Sequence, residues 1–179
     1  MCAYPGECLY AESVSSKPAG MNVATIEYME TDERDLDLIK PLWEQLNEHH
    51  RKLSPHFSSH YEAFTFERRK DGLLHKTRDG LMHICLAKDA DSGICVGYSV
   101  SSLLNDGGHP VGEVESIYVD GPYRAKGIGD ALMRKALEWM DTHGAATKKV
   151  SVGAGNEDVL PFYARYGFCV RTTTLEQIK

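Results

Sequence analysis

Val114-Glu115-Ser116-Ile117-Tyr118-Val119-Asp120-Gly121-Pro122-Tyr123-Arg124-Ala125-Lys126-Gly127-Ile128-Gly129-Asp130-Ala131-Leu132 is the stretch that decides the fold. Its first residues read as a strand, Asp120-Gly121-Pro122 as a tight turn, and the residues after Gly127 as a helix. Gly127 and Gly129 sit at the start of that helix. Without Cβ atoms there, successive backbone N–H groups can converge on an anion, and the helix dipole adds partial positive charge. Two phosphate loops are excluded. No Lys-Ser or Lys-Thr follows the glycines, as a P-loop requires. A dinucleotide fingerprint needs a third glycine or an alanine where Leu132 stands, and it normally follows the first strand of its fold.

Working outward, Val23 to Tyr28 alternates as a first strand. Thr31-Asp32-Glu33-Arg34 starts a helix whose apolar positions run Leu36, Leu38, Ile39, Leu42, Trp43, Leu46 and Leu53. Pro41 lies inside it and predicts a kink or a division into two helices. A second helix is expected over Tyr61 to Thr77. Leu81–Ala87, Ile94–Leu104 and Gly112–Val119 read as strands joined by turn-rich segments. The helix at Gly129–His143 places Leu132, Ala136, Leu137 and Met140 on one face, and a fifth strand follows at Lys149–Val152. A short helix over Glu157–Arg165 and closing strands at Phe168–Arg171 and Thr174–Ile178 complete the chain. Helices and strands alternate only partly, so a mixed α/β layer is expected rather than a doubly wound parallel sheet. Residues 1–20, rich in Pro, Gly and Ser, read as a tail ahead of a single domain at 21–179, with Met21 as an alternative start.

Composition sets the limits. Of 179 residues 42% are hydrophobic and 26% charged, which suits a globular core. No window reaches the ~18 apolar residues of a membrane span. The first residues carry no basic and apolar leader pattern, so a cytoplasmic location is expected. The net charge of −6 and the lack of a basic stripe argue against a nucleic-acid partner. Five cysteines without a C-x-x-C pair suggest neither a disulfide framework nor a zinc site.

The segment Arg124-Ala125-Lys126-Gly127-Ile128-Gly129 resembles the Q/R-x-x-G-x-G/A acetyl-CoA signature of the GNAT N-acetyltransferase superfamily. A second likeness lies downstream, where Asn156 is followed by Phe162-Tyr163-Ala164-Arg165-Tyr166-Gly167-Phe168. The resemblance spans residues 21–179. It implies a central, mixed, mostly antiparallel twisted sheet of about six to seven strands with about four helices around it. It also implies acetyl-CoA as co-substrate, no metal, and direct attack of an amine on the thioester. Carried over by position, the main chain of Arg124, Ala125, Lys126, Gly127, Ile128, Gly129 and Asp130 would hold the pyrophosphate. The strand edge at Ile117, Tyr118 and Val119 would pair with the pantetheine amides, and Asn156 would steady the cofactor arm. Tyr163 would stand near the sulfur as general acid. Pro161, just ahead of it, departs from the usual pattern.

An alkylamine of pKa ~10.4 is only about one part in 10³ neutral at pH 7, so such a site needs a proton acceptor as well as an acid for the thiolate. Glu113 and Glu115 are two residues apart on one strand and so share a face. Glu115, then Glu113, are the candidate bases, with a water chain as the third route. Strict alternation would turn Tyr118 away from Glu115 into the core. Tyr166 reads as packing behind Gly167. His49, His50, His56 and His60 gather between the first helices, a loop that borders the acceptor pocket in the resembled family. They read as a solvated loop, as acceptor contacts or, least, as metal ligands.

The acceptor expected is a small-molecule amine. A protein N-terminus or lysine, and a non-catalytic acyl-CoA sensor, are the alternatives. The tail and the C-terminal strands suggest a homodimer contact.

Overall fold

The computed structural model describes residues 25–177. The proposed tail at 1–20, the start of the first strand and Ile178 lie outside the described residues. Five strands form one sheet in the order β1 (Ile26–Thr31), β2 (Leu81–Asp89), β3 (Cys95–Asp106), β4 (His109–Val119) and β5 (Thr147–Val150). The first three pairings are antiparallel and the last is parallel. The mixed, mostly antiparallel architecture is as expected, but with five strands rather than six or seven. The missing ones are the closing strands. Residues 168–177 form no ladder, and Val170 and Leu175 are 71% and 91% exposed. Strand propensity without a partner to pack on does not make a strand.

Helices α1 (Lys40–Leu53) and α3 (Phe66–Lys76) cover one face of the sheet, with α2 (Ser58–Ala63) packed on α1, and α4 (Ile128–Thr142) covers the other. The division expected at Pro41 is present. A 3-10 segment, Glu33–Ile39, precedes α1, and the proline occupies the first turn of α1, where its missing N–H costs nothing. The single helix expected over Tyr61–Thr77 is two helices instead. Phe64 and Thr65 are extended between them, and the Thr65 hydroxyl caps α3 by accepting from the Arg68 N–H at 3.3 Å. Phe64 then packs edge-on against Trp43, ring centres 5.8 Å apart. A threonine cap and a buried aromatic outweigh helical continuity. Trp43 is a core residue, as its spacing implied. No helix of the described residues is long and apolar enough to cross a membrane.

Two departures from regular sheet geometry shape the site. First, Val100 pairs with Ser116 but Ser101 pairs with Val114, so Glu115 is an extra residue, a β-bulge. Second, β5 pairs with β4 only through Val111–Val114. From Glu115 to Val119 the β4 edge on that side has no strand partner among the described residues. Strand β5 itself ends at Val150, opposite Val114.

On the α4 face, His83 is buried and stacks on Trp139 with ring centres 5.1 Å apart and planes at 12°. Its Nε2 lies 3.0 Å from the Glu30 carboxylate, which also accepts from Lys135, while its Nδ1 has no partner among the described residues. Burial pulls the His83 pKa below its ordinary value, and nearby Lys135 and His143 act in the same direction against Glu30. Near pH 6.5 the unfolded chain therefore binds a proton that the folded one resists, and stability falls as pH drops from there. His83→Phe, which keeps the stack, is expected to flatten the stability–pH slope between pH 7.5 and 5.5. The change is at most about 1.4 kcal/mol per pH unit, read from urea unfolding at both pH values. An unchanged slope would assign the titration elsewhere.

Candidate active site

The strand-to-helix loop holds a conformation that the free chain would not choose. Ala125 has φ 59° and Gly127 φ 78°, both left-handed. At Gly127 the missing Cβ makes this cheap; at Ala125 it does not, and such strain concentrates where a ligand is held. Several bonds fix the loop. The Arg124 Nε donates to the Val119 carbonyl at 2.9 Å and its guanidinium lies over the Tyr118 ring. The Tyr123 hydroxyl donates to Asp89 at 2.9 Å. The first bond of α4 runs from the Ala131 N–H to the Gly127 carbonyl, and Gly127 offers no side-chain cap. Among the described residues, the amide N–H groups of Ala125, Lys126, Gly127, Ile128, Gly129 and Asp130 therefore have no acceptor.

This run of free donors at the positive end of a 15-residue helix fits a pyrophosphate. The Asp130 side chain is turned to other partners: it accepts from the Tyr166 hydroxyl at 2.5 Å and pairs with Arg165 at 3.2 Å.

The part of the β4 edge that β5 leaves unpaired, Glu115–Val119, leads into this loop. The side chains of Ile117 and Val119 pack under α4, and their main chain lies on the edge that β5 leaves unpaired. Tyr163, on α5 (Leu160–Ala164), is only 8% exposed and packs with Val114, Met133 and Met140. Burial pushes its phenol up to about 12. Pro161 falls in the first turn of α5 and leaves the helix intact. Asn156 stands at the start of the turn before it, its backbone closing on Gly153 and Val159.

Glu113 and Glu115 share the opposite, α3-side face, as their spacing implied. Neither is free. Lys76 bridges both carboxylates. The Glu115 side chain, 5% exposed, also accepts from the Ser102 hydroxyl at 2.6 Å and from Arg69 at 3.3 Å. Glu113 meets Lys149 at 3.2 Å. Burial would raise the Glu113 pKa, but Lys76 and Lys149 outweigh it and hold the carboxyl below its usual range. Burial likewise opposes the Lys76 charge, and the two glutamates prevail and raise its pKa.

The profile of the acetyltransferase (GNAT) family matches residues 43–168. The chain belongs to this family. It is 31% identical over 96 residues, 54% of its length, to an uncharacterized N-acetyltransferase of Methanocaldococcus jannaschii, spanning 42% of that protein. It is 28% identical over 131 residues to the phosphinothricin N-acetyltransferase of Streptomyces coelicolor, covering 73% of this chain and 75% of that one. The crystal structure of a GCN5-related N-acetyltransferase from Ralstonia eutropha shares the fold. Its TM-score is 0.68 at 22% identity, over 86% of this chain and 99% of that one.

Val114 and Ile117 of β4 pack in one cluster with Tyr163, and Ile117 and Val119 in another with Ile128 of α4. Two expectations need correction. Tyr118 does not turn away from Glu115. The bulge at Glu115 restores both to one face, where the Tyr118 hydroxyl donates to Gln45 of α1 at 3.3 Å. Tyr166 does more than pack, since it holds Asp130. Lys76 and Arg69 could not have been tied to the glutamates from their spacing, since they arrive from α3 and the glutamates stand on β4. Among the described residues no cluster of three or more His, Cys, Asp or Glu could hold a metal.

Proposed function

We propose that the protein transfers an acetyl group from acetyl-CoA to the amine of a small molecule. The observation that carries this reading is the run of six acceptor-free amides at the start of α4, opening onto the strand edge that β5 leaves unpaired. Acetyl-CoA would supply the activated acyl carbon. The amides of Ala125–Asp130 would bind its pyrophosphate, and the main chain of Ile117 and Val119 would fix the pantetheine arm as an added strand does. Both hold the reacting groups at short range, which removes much of the entropic barrier. Tyr163, kept protonated by burial, would offer its O–H to the departing sulfur.

For the acceptor, support comes from a groove of about 580 Å³ between α1 and the α2–α3 pair. Trp43, Tyr61 and Phe64 form its apolar wall, and Glu44 and Glu62, without ion pairs among the described residues, line its rim. Aromatic faces with nearby carboxylates suit an ammonium-bearing molecule. The relative named for phosphinothricin is consistent with an acceptor of small size.

The first test is the melting temperature with and without acetyl-CoA. A ligand at 100 times its Kd stabilises the fold by ~2.7 kcal/mol, enough for a clear upward shift. Gly127→Val, which cannot hold a left-handed backbone cheaply, should abolish that shift. No shift in the wild type at millimolar ligand would sink the reading.

A further inference from the structure

The reaction needs a group that takes a proton from the acceptor ammonium, and the two glutamates are committed elsewhere. Both oxygens of Glu115 are occupied, Oε1 by Lys76 and Ser102 and Oε2 by Arg69. Glu113 is held in its charged form by two lysines, so its affinity for a proton is lowered further. Helix α1 offers another group.

Helix α1 reaches from β4 to the segment that follows β5. Near its middle, Gln45 accepts from Tyr118 of β4. At its end, the Leu53 carbonyl would lie 2.1 Å from a Cβ on Gly155, in the segment that follows β5. The Tyr61 hydroxyl would lie 2.9 Å from a Cβ on Gly153 and the His50 Nδ1 3.8 Å from it. These glycines let α1 and α2 close directly onto the segment after β5. His50 lies between the two anchor points of α1 and stacks on Tyr61, ring centres 5.5 Å apart and planes at 23°. Neither of its ring nitrogens has a hydrogen-bond partner among the described residues.

We propose that His50, stacked on Tyr61 beside Gly153, accepts the proton of the acceptor amine, directly or across one water. This rests on the acetyl-transfer reading above. The ammonium N–H breaks and its proton passes to the free imidazole nitrogen. The released lone pair forms the new C–N bond as the C–S bond breaks, and sulfur takes the Tyr163 proton. The nitrogen, now bonded to the acetyl carbon, still carries one proton more than the amide. That second N–H proton passes to the Tyr163 oxygen and His50 gives the first to solvent, so the products are the neutral amide and the free thiol and the protein returns to its starting state. The titratable groups that face the ring are His49 from α1 and Tyr61 from α2; the Gly153–Gly155 segment brings none. Burial, then the neighbouring His49, push the His50 pKa below its ordinary value, which leaves the ring neutral and able to accept at pH 7.

The test compares wild type with His50→Gln, following thiol release from acetyl-CoA. Spermidine, glutamate, phosphinothricin and glucosamine 6-phosphate serve as acceptor probes. With the best of these, kcat/KM at pH 7 should fall about 100-fold. The deficit should shrink as pH approaches the amine's own pKa, because free amine needs no base. The acetyl-CoA melting shift should be unchanged, which separates this role from a structural one. Wild-type kcat/KM with an unaltered pH profile in the variant would overturn the proposal. A second readout needs no acceptor: the His50 imidazole proton resonance, assigned by its loss in the variant. It should report a neutral ring at pH 7 and move when acetyl-CoA is added. A ring protonated at pH 7, or one blind to acetyl-CoA that the protein demonstrably binds, would overturn the proposal while leaving the acetyl-transfer reading intact.

Discussion

Replacing Tyr163 by Phe is expected to lower turnover by roughly 10²- to 10⁴-fold while leaving acetyl-CoA binding in place. The substitution removes one oxygen and keeps the ring. That ring sits edge-on to Phe162 at 5.3 Å and to Phe168 at 6.1 Å, so packing of the α4-side cluster is preserved. The Tyr163 hydroxyl has no protein partner among the described residues, and its loss strands no donor or acceptor. The melting temperature should therefore barely change, and the acetyl-CoA shift should match wild type. What disappears is the proton for a leaving thiolate whose pKa is about 8.5. Tyr166→Phe is the matched control, because that hydroxyl is already given to Asp130. It should disturb the loop-bearing helix more than the chemistry. Equal turnover in wild type and Tyr163→Phe would remove Tyr163 from the mechanism.

The parts of the molecule that were legible in its sequence are those set by local chemistry. Gly127 and Gly129 after a strand marked an anion-binding helix start because only a few residues without side chains can present consecutive amides. Pro41 marked a helix boundary because its missing N–H acts at one position. The parts that were not legible depend on residues distant in the chain. Alternation placed Tyr118 opposite Glu115, and one extra residue in β4, visible only against its partner β3, reversed that. Thr65 looked like the interior of a helix until Phe64 found Trp43. Glu113 and Glu115 looked like free bases because Lys76 lies 37 and 39 positions away on a helix whose docking nothing in their own segment announces. His50 belonged to a histidine-rich loop that read as solvated, and only the approach of Gly153 sets it apart from His49, His56 and His60. The net charge of −6 was a poor guide to the site as well, since Arg69, Lys76 and Lys149 leave the glutamate cluster with more positive than negative groups.

That cluster carries the second large effect. Lys76→Met should destabilise the fold by about 3 kcal/mol at pH 7, because it leaves two carboxylates facing each other with little water to screen them. Arg69 and Lys149 remain, but at 3.3 and 3.2 Å they hold single oxygens from the outside, and neither bridges the pair. Lys76→Arg, which can still bridge, should lose far less. The pH dependence distinguishes this from lost packing. In the wild type Glu113 binds its proton less readily when folded than when unfolded, so its contribution is present above about pH 4.3 and is lost in acid. In Lys76→Met the repulsion raises at least one carboxyl above that unfolded value. The folded state then binds the extra proton, and stability increases as pH falls from 7 towards 5. Urea unfolding at these two pH values should thus show the variant's deficit narrowing in acid. A deficit below 1 kcal/mol at pH 7, or one that does not change with pH, would mean that the glutamates are solvated and weakly paired. They would then again be open to a role in proton transfer, and the case for His50 would lose its first premise.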